Sequence, residues 1–223
     1  MEYIDLRRED GSLTGEVKER SLVHRDGDLH GTSHVWLVRY RAEEQSADVL
    51  LQKRSRNKDS FPGSYDISSA GHIPSGDDFL GSALRELEEE LGIKARPEEL
   101  HFVFTHIGRH EAEFYGKVFK NHEYSRIYLY ECELPLANMK LQKEEVESVL
   151  WMDYRECLKH IRKEDMDHCI FPQEFERLVA AIEDYFARTG RPLGRKEITE
   201  TWAEDAQVEL EDWIEEQGIY IRQ

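Results

Sequence analysis

The sequence contains no apolar run near the roughly 20 residues that a membrane-crossing helix needs. Its first eight residues, Met1 to Arg8, also lack the apolar core of a secretory signal. Cysteine is scarce: Cys132, Cys157 and Cys169 are an odd number at no metal-like spacing, which excludes a disulfide framework and a zinc ribbon. The expectation is reduced, mostly buried thiols in a cytoplasmic protein. Positive charge is in deficit as well, with 30 Lys and Arg against 47 Asp and Glu, a formal net charge of −17. A surface that negative repels phosphate backbones and anionic lipid, so general nucleic-acid binding and membrane docking are excluded. A phosphate-bearing small molecule would need a local basic patch or a metal ion. No internal repeat and no low-complexity tract is present.

What the chain does have is enough apolar material for a packed core: 39% hydrophobic and 10% aromatic residues in 223. Strand-like stretches are read at Tyr3–Leu6, His34–Tyr40 and Ala47–Lys53, the last two joined by the polar Glu43-Glu44-Gln45-Ser46 as a hairpin. Further strands are expected at Leu100–His106, Ser125–Cys132 and Val146–Met152, and helices at Tyr154–Arg162 and Gln173–Arg188. Between Asp77 and Leu91, the residues Leu80, Ala83, Leu84, Leu87 and Leu91 recur at three- and four-residue steps. That spacing predicts a helix, closed by Gly92. Strands and helices alternate irregularly, which implies a mixed sheet with helices packed on it.

After Arg188 the composition changes. Thr189 to Gly194 reads as a linker, followed by an acidic helix candidate with Ile198, Trp202, Ala206, Leu210, Trp213 and Ile214 on one stripe. The expected organisation is therefore a catalytic domain over residues 1–188 and an acidic helical extension over 189–223. The stripe would pack on its own domain, lid the pocket or hold a second copy, so a homodimer is one expectation.

The chemistry is concentrated in Gly71 to Ile93. On the helix, Glu86, Glu89 and Glu90 lie at i, i+3 and i+4, which puts three carboxylates on one face. Three anions that close repel one another unless a hard divalent cation sits among them, and Mg²⁺ or Mn²⁺ prefers oxygen ligands. A solvated acidic face is the plain alternative. The frame around the acids argues otherwise: Gly71 leads the loop, Arg85 directly precedes the first acid, and Gly92-Ile93 closes the helix.

This frame resembles the Nudix hydrolase signature. Gly71, Arg85, Glu86, Leu87, Glu89, Glu90, Gly92 and Ile93 match in register, and Asp77 stands where the family has Glu. The resemblance implies an α/β/α sandwich around a mixed β-sheet. It also implies that the Gly71 carbonyl and the carboxylates of Glu86, Glu89 and Glu90 hold Mg²⁺ or Mn²⁺, with Arg85 orienting the acids. The implied reaction is water attack on a phosphorus of a small organic diphosphate. The shorter Asp77 leaves a metal contact or an Arg pairing at that position open.

The resemblance runs over about residues 1 to 185 and is similar to the branch containing isopentenyl-diphosphate isomerase. It rests there on Gln52 to Ser55, Lys58, Phe61-Pro62-Gly63, Tyr65-Asp66 and Ala70-Gly71-His72. Within that branch, His24, His30 and His72 resemble the histidines with which the isomerase binds its metal; ordinary surface or capping histidines are the other reading. The isomerase needs a cysteine before the Gly-His pair, and this chain has Ala70. Hydrolysis is therefore the expected chemistry, with isomerase activity and a catalytically inactive ligand-sensing module as alternatives. Glu123 would serve as a further metal ligand or as general base. Arg54, Lys58 and His72 would contact substrate, the first two as the basic patch for phosphate. Phe114, Tyr115 and Phe119 would stack on a base or pack in the core.

Overall fold

The structure, a computed structural model, describes residues 2–194. The acidic stripe from Ile198 to Ile214 therefore lies outside the described residues.

The chain is organised around one strand. The strand β3 (His30–Arg41) carries Val35-Trp36-Leu37-Val38, all essentially without exposure. A strand apolar on both faces belongs in the middle of a sheet covered on both sides. The strand β8 (Lys117–Glu131) runs parallel beside it, from His30 opposite Glu123 to Val38 opposite Glu131. On its other edge, the first half of β3 pairs antiparallel with β6 (Ser69–His72) and the second half with β4 (Ser46–Arg54). The strands β1 (Tyr3–Arg7) and β2 (Leu13–Glu19) form a hairpin that touches β3 where Leu6 meets His30. Short β5 (Tyr65–Asp66) and β9 (Val146–Asp153) flank β4, and β7 (His101–Phe114) pairs with β8. The sheet is mixed, as the sequence implies.

Side chains alternate across β3 and so divide the core in two. Val35 and Leu37 face the helix α2 (Phe79–Leu91), which buries Phe79, Ala83, Leu87 and Leu91 at four-residue spacing. Trp36 and Val38 face α3 (Tyr154–Lys163) and α4 (Pro172–Arg188), which bury Tyr154, Cys157, Phe175, Leu178, Ile182 and Phe186. Helices on both faces of a mixed sheet make the expected α/β/α sandwich. The helix α2 starts where the Asp78 carboxylate accepts from Gly81 N at 2.9 Å and ends at Gly92, whose φ of 70° suits glycine.

Two elements escape the sequence reading. The strand β2 is mostly exposed, so Leu13–Glu19 shows no two-residue burial period. The seven-residue helix α1 (Arg20–Asp26) has no side-chain cap and buries only Val23 and His24. The β7–β8 ribbon also runs further than expected, and Tyr115-Gly116 is its turn, with Phe114 and Phe119 inside the strands. Cys132 and Cys157 are buried and all three thiols are free. Among the described residues no helix is long and apolar enough to cross a membrane.

Candidate functional site

A cleft of about 350 Å³ opens at the end of the sheet where β3, β6 and β8 meet α1 and α2. Seven carboxylates line it, against four side chains of Arg or Lys. A diphosphate entering this cleft needs additional positive charge.

The first cluster belongs to α2. Glu86 lies against the backbone of Gly71, where a Cβ would overlap the Glu86 carboxylate, so only glycine lets the acid approach the β6 backbone. Arg85 reaches Glu86 at 2.9 Å and Glu89 at 3.1 Å, and its other nitrogen approaches the His72 carbonyl at 3.5 Å. Burial raises the Glu86 carboxyl, with Arg85 opposing it. Glu90 is deeper: one oxygen accepts from Ala70 N at 3.3 Å, and burial pushes its carboxyl up to about 8. Glu89 is about half exposed. Glu86 against a bare glycine backbone, with Glu89 and Glu90 on the same helix face, makes a donor set suited to a hard divalent cation. Asp77 is exposed, and the Arg85 contacts run to the helix acids and His72.

The second cluster assembles from distant segments. His24 of α1, His30 of β3 and His72 of β6 bring one ring nitrogen each within 4.8 Å of one another. The His24 and His72 Nε2 atoms are 3.1 Å apart. His24 Nδ1 is 3.3 Å from the Lys120 carbonyl and His30 Nδ1 is 2.9 Å from that of Asp28. Those carbonyls accept a ring proton, which leaves the Nε2 lone pairs toward the cluster. His30 Nε2 is buried with no partner. Burial, then His30, holds His24 at about 4, and burial also lowers His30 and His72. Neutral imidazoles with oriented lone pairs suit a nitrogen-preferring cation such as zinc. Of the two readings of His24 and His30, surface residues or cluster, the structure has the cluster.

Glu123 lies at the start of the β8 stretch that pairs with β3, opposite His30 and nearly buried. His34 Nε2 stands 3.6 Å from it. Burial opposes its ionisation, but His34 outweighs this and holds the carboxyl at about 2. Arg54 and Lys58 line the cleft, but each already has an acid: Arg54 donates to Asp66 at 2.8 Å and Lys58 pairs with Glu145. The basic patch expected from sequence is thus partly neutralised. Phe61 packs against Phe114 with ring centroids 4.7 Å apart, and Phe119 stacks on His24 at 4.5 Å. Tyr115 is exposed at the ribbon turn.

Sequence reasoning missed three cleft features. Cys169 lines the cleft, although no cysteine is near Ala70 in sequence; its thiol donates to the Tyr65 carbonyl at 3.6 Å and burial raises it well above its usual range. Such a thiol is a poor acid, base or nucleophile. Arg20 lines the cleft from α1. His34 lines the cleft from β3 and is the third; behind it stands Glu174, an acid on the apolar stripe of α4.

Residues 31–173 match the model of the family described as NUDIX domain. The chain is 43% identical over 166 residues to Nudix hydrolase 3 of Arabidopsis thaliana, covering 74% of this chain but only 21% of that protein. It therefore spans about a fifth of that relative's length. An uncharacterised Nudix hydrolase of Clostridium acetobutylicum is 35% identical over 160 residues, covering 72% of this chain and 74% of the relative. Among solved structures, a Deinococcus radiodurans protein superimposes with a TM-score of 0.60 at 16% identity, covering 79% of this chain and 98% of that one. A NUDIX hydrolase from Alicyclobacillus acidocaldarius gives 0.51 at 16% identity, covering 75% and 99%. At those identities the structures show the fold alone.

Proposed function

The chain belongs to the NUDIX family, and from that premise we propose that it is a pyrophosphohydrolase dependent on Mg²⁺ or Mn²⁺. It cleaves the diphosphate linkage of a nucleoside diphosphate derivative or another small organic diphosphate by water attack at phosphorus. The observation that carries the reading is the Glu86 carboxylate held against Gly71, with Glu89 and the buried Glu90 on the same face of α2. Divalent cations bound there would shield the diphosphate charge and lower the pKa of a water.

The protein's own side chains divide the remaining work. Glu86, Glu90 and the Gly71 carbonyl hold the cation site, and Arg85 orients Glu86 and Glu89 through charge-assisted hydrogen bonds. Glu89, the most exposed of the three acids, accepts the proton of the attacking water on its carboxylate. Arg54 and Lys58 exchange part of their contact with Asp66 and Glu145 for phosphate oxygens. Glu123, its carboxylate facing His34 and carried by the residue paired with His30, is assigned as a ligand beside the histidine cluster. His24, His30 and His72 would hold a second, nitrogen-preferring cation.

Hydrolysis of a panel of organic diphosphates, followed as inorganic phosphate or as the two phosphomonoesters formed, tests the proposal, with Mg²⁺ or Mn²⁺ and Glu89→Gln alongside. The panel includes nucleoside diphosphates, nucleotide sugars, dinucleotides, thiamine diphosphate and isopentenyl diphosphate. Hydrolysis lost in the variant is the expected result. Binding of a nucleotide without turnover would instead support a sensing module, and rearranged isopentenyl diphosphate an isomerase.

A further inference from the structure

Behind the histidine cluster, on the α4 side of β3, lies an ionic arrangement that the chemistry above leaves without a task. Glu174 stands in the first turn of α4 with no solvent exposure. Its carboxylate accepts from His34 Nδ1 at 2.9 Å and from Trp36 Nε1 at 3.0 Å. The other edge of the His34 ring faces Glu123, with Nε2 3.6 Å from its carboxylate and 3.3 Å from the Thr32 hydroxyl. That hydroxyl is held in turn by Ser125 Oγ at 2.8 Å. One imidazole thus lies between two buried carboxylates.

Packing does not call for an acid at 174. The position precedes Leu178, Ile182 and Phe186 at four-residue steps, all fully buried, and an apolar residue fills such a stripe at lower desolvation cost than a buried ion pair. The charge acts at the far end of the triad. His30, Thr32 and His34 alternate on one face of β3, and pairing with β8 sets Glu123 opposite His30. The carboxylate that His34 faces is therefore carried by the residue paired with His30, one of the three cluster histidines. A carboxylate ligand must be ionised and fixed in orientation, and neighbouring hydrogen bonds commonly do both.

We propose that Glu174, acting through His34, is a positioning residue that fixes Glu123 as the anionic fourth member of the histidine cation site. This rests on the assignment of that cluster as a cation site above. Two hydrogen bonds hold the Glu174 carboxylate, so the His34 ring cannot turn away from Glu123.

Cobalt(II), titrated into the metal-free full-length protein and followed by visible absorption and calorimetry, tests this. The wild type is expected to develop the bands of a nitrogen-rich site, and His24→Ala to lose them. Glu174→Gln, close to isosteric, is expected to weaken cobalt binding by about 10- to 100-fold while the thermal melt stays cooperative. His34→Gln carries the same expectation and the same test should Glu174→Gln fail to fold. In a Glu123→Gln background, Glu174→Gln is expected to add no more than about twofold, because a residue acting through Glu123 has nothing left to act on. A wild-type site left unaffected by both variants, or effects that add in full, would overturn the inference alone. If the wild type shows no such bands and His24→Ala binds equally well, the cluster assignment fails and the inference fails with it.

Discussion

Glu86, Glu89 and Glu90 come from one face of a single helix, whereas His24, His30 and His72 come from a short helix and two strands. The acids are neighbours whatever the rest of the chain does, provided α2 forms. The histidines are neighbours only once β3 and β6 have paired and α1 has folded over them. The acids are graded from the half-exposed Glu89 to the buried Glu90, with Glu90 and Glu86 raised by burial; the histidines are desolvated, which favours their neutral form. One cleft therefore offers an oxygen-donor region and a nitrogen-donor region. They differ in cation preference and in the kind of damage that would disable them.

Glu86→Gln or Glu90→Gln should break the oxygen-donor side most severely, lowering kcat/KM for phosphate release by at least about 100-fold with the fold intact by circular dichroism. Gly71→Ala should come next. Its methyl displaces the Glu86 carboxylate, and a displacement on the order of 1 Å at a positioned group lowers turnover by up to about 100-fold. His72→Ala sharpens the contrast: cobalt or zinc affinity should fall by about 10-fold or more while binding of Mg²⁺ at the acids changes little, as calorimetry with each ion would record. Asp77→Glu should matter least, changing turnover by less than about threefold, since Asp77 is exposed and Arg85 is engaged elsewhere.

The two sides also respond oppositely to pH in the metal-free protein. Glu90 is raised above its unfolded value, so the folded state holds a proton that the unfolded state has lost. Its contribution to stability is therefore lost as pH rises from about 4.5 to about 8. His24 is lowered, so stability rises with pH between about 4 and 6.5 on its account. The melting temperature of the wild type relative to Glu90→Gln should then fall steadily from pH 5 to pH 8. Saturating Mg²⁺ should flatten that difference, and a difference flat without metal would contradict the burial account of Glu90.

This contrast also explains what could be read from the chain. The helix α2 and its acids were legible because period, cap and motif lie within one contiguous segment. The strands β3, β4, β8 and β9 were legible through their apolar runs, and so was the mixed sheet between helices. The strand β2 and helix α1 were not, because exposed residues leave little burial period to detect. The histidine cluster was legible only as a resemblance, since no local spacing brings position 24 to position 72. Glu174 does carry a signal in the sequence, an acid in register with Leu178, Ile182 and Phe186 on a helix stripe that is otherwise buried and apolar. Lys58 and Arg54 were found as cleft residues, but their acidic partners Glu145 and Asp66 could not be assigned before the sheet register was known.

The most direct measurement is turnover of the best panel substrate in ¹⁸O-enriched water with Mg²⁺, followed by mass spectrometry of both products. Water attack at phosphorus predicts one ¹⁸O in a phosphate-bearing product and none in the organic group bound to the diphosphate. Label in the organic group, or a rearranged product that carries no label, would contradict the account.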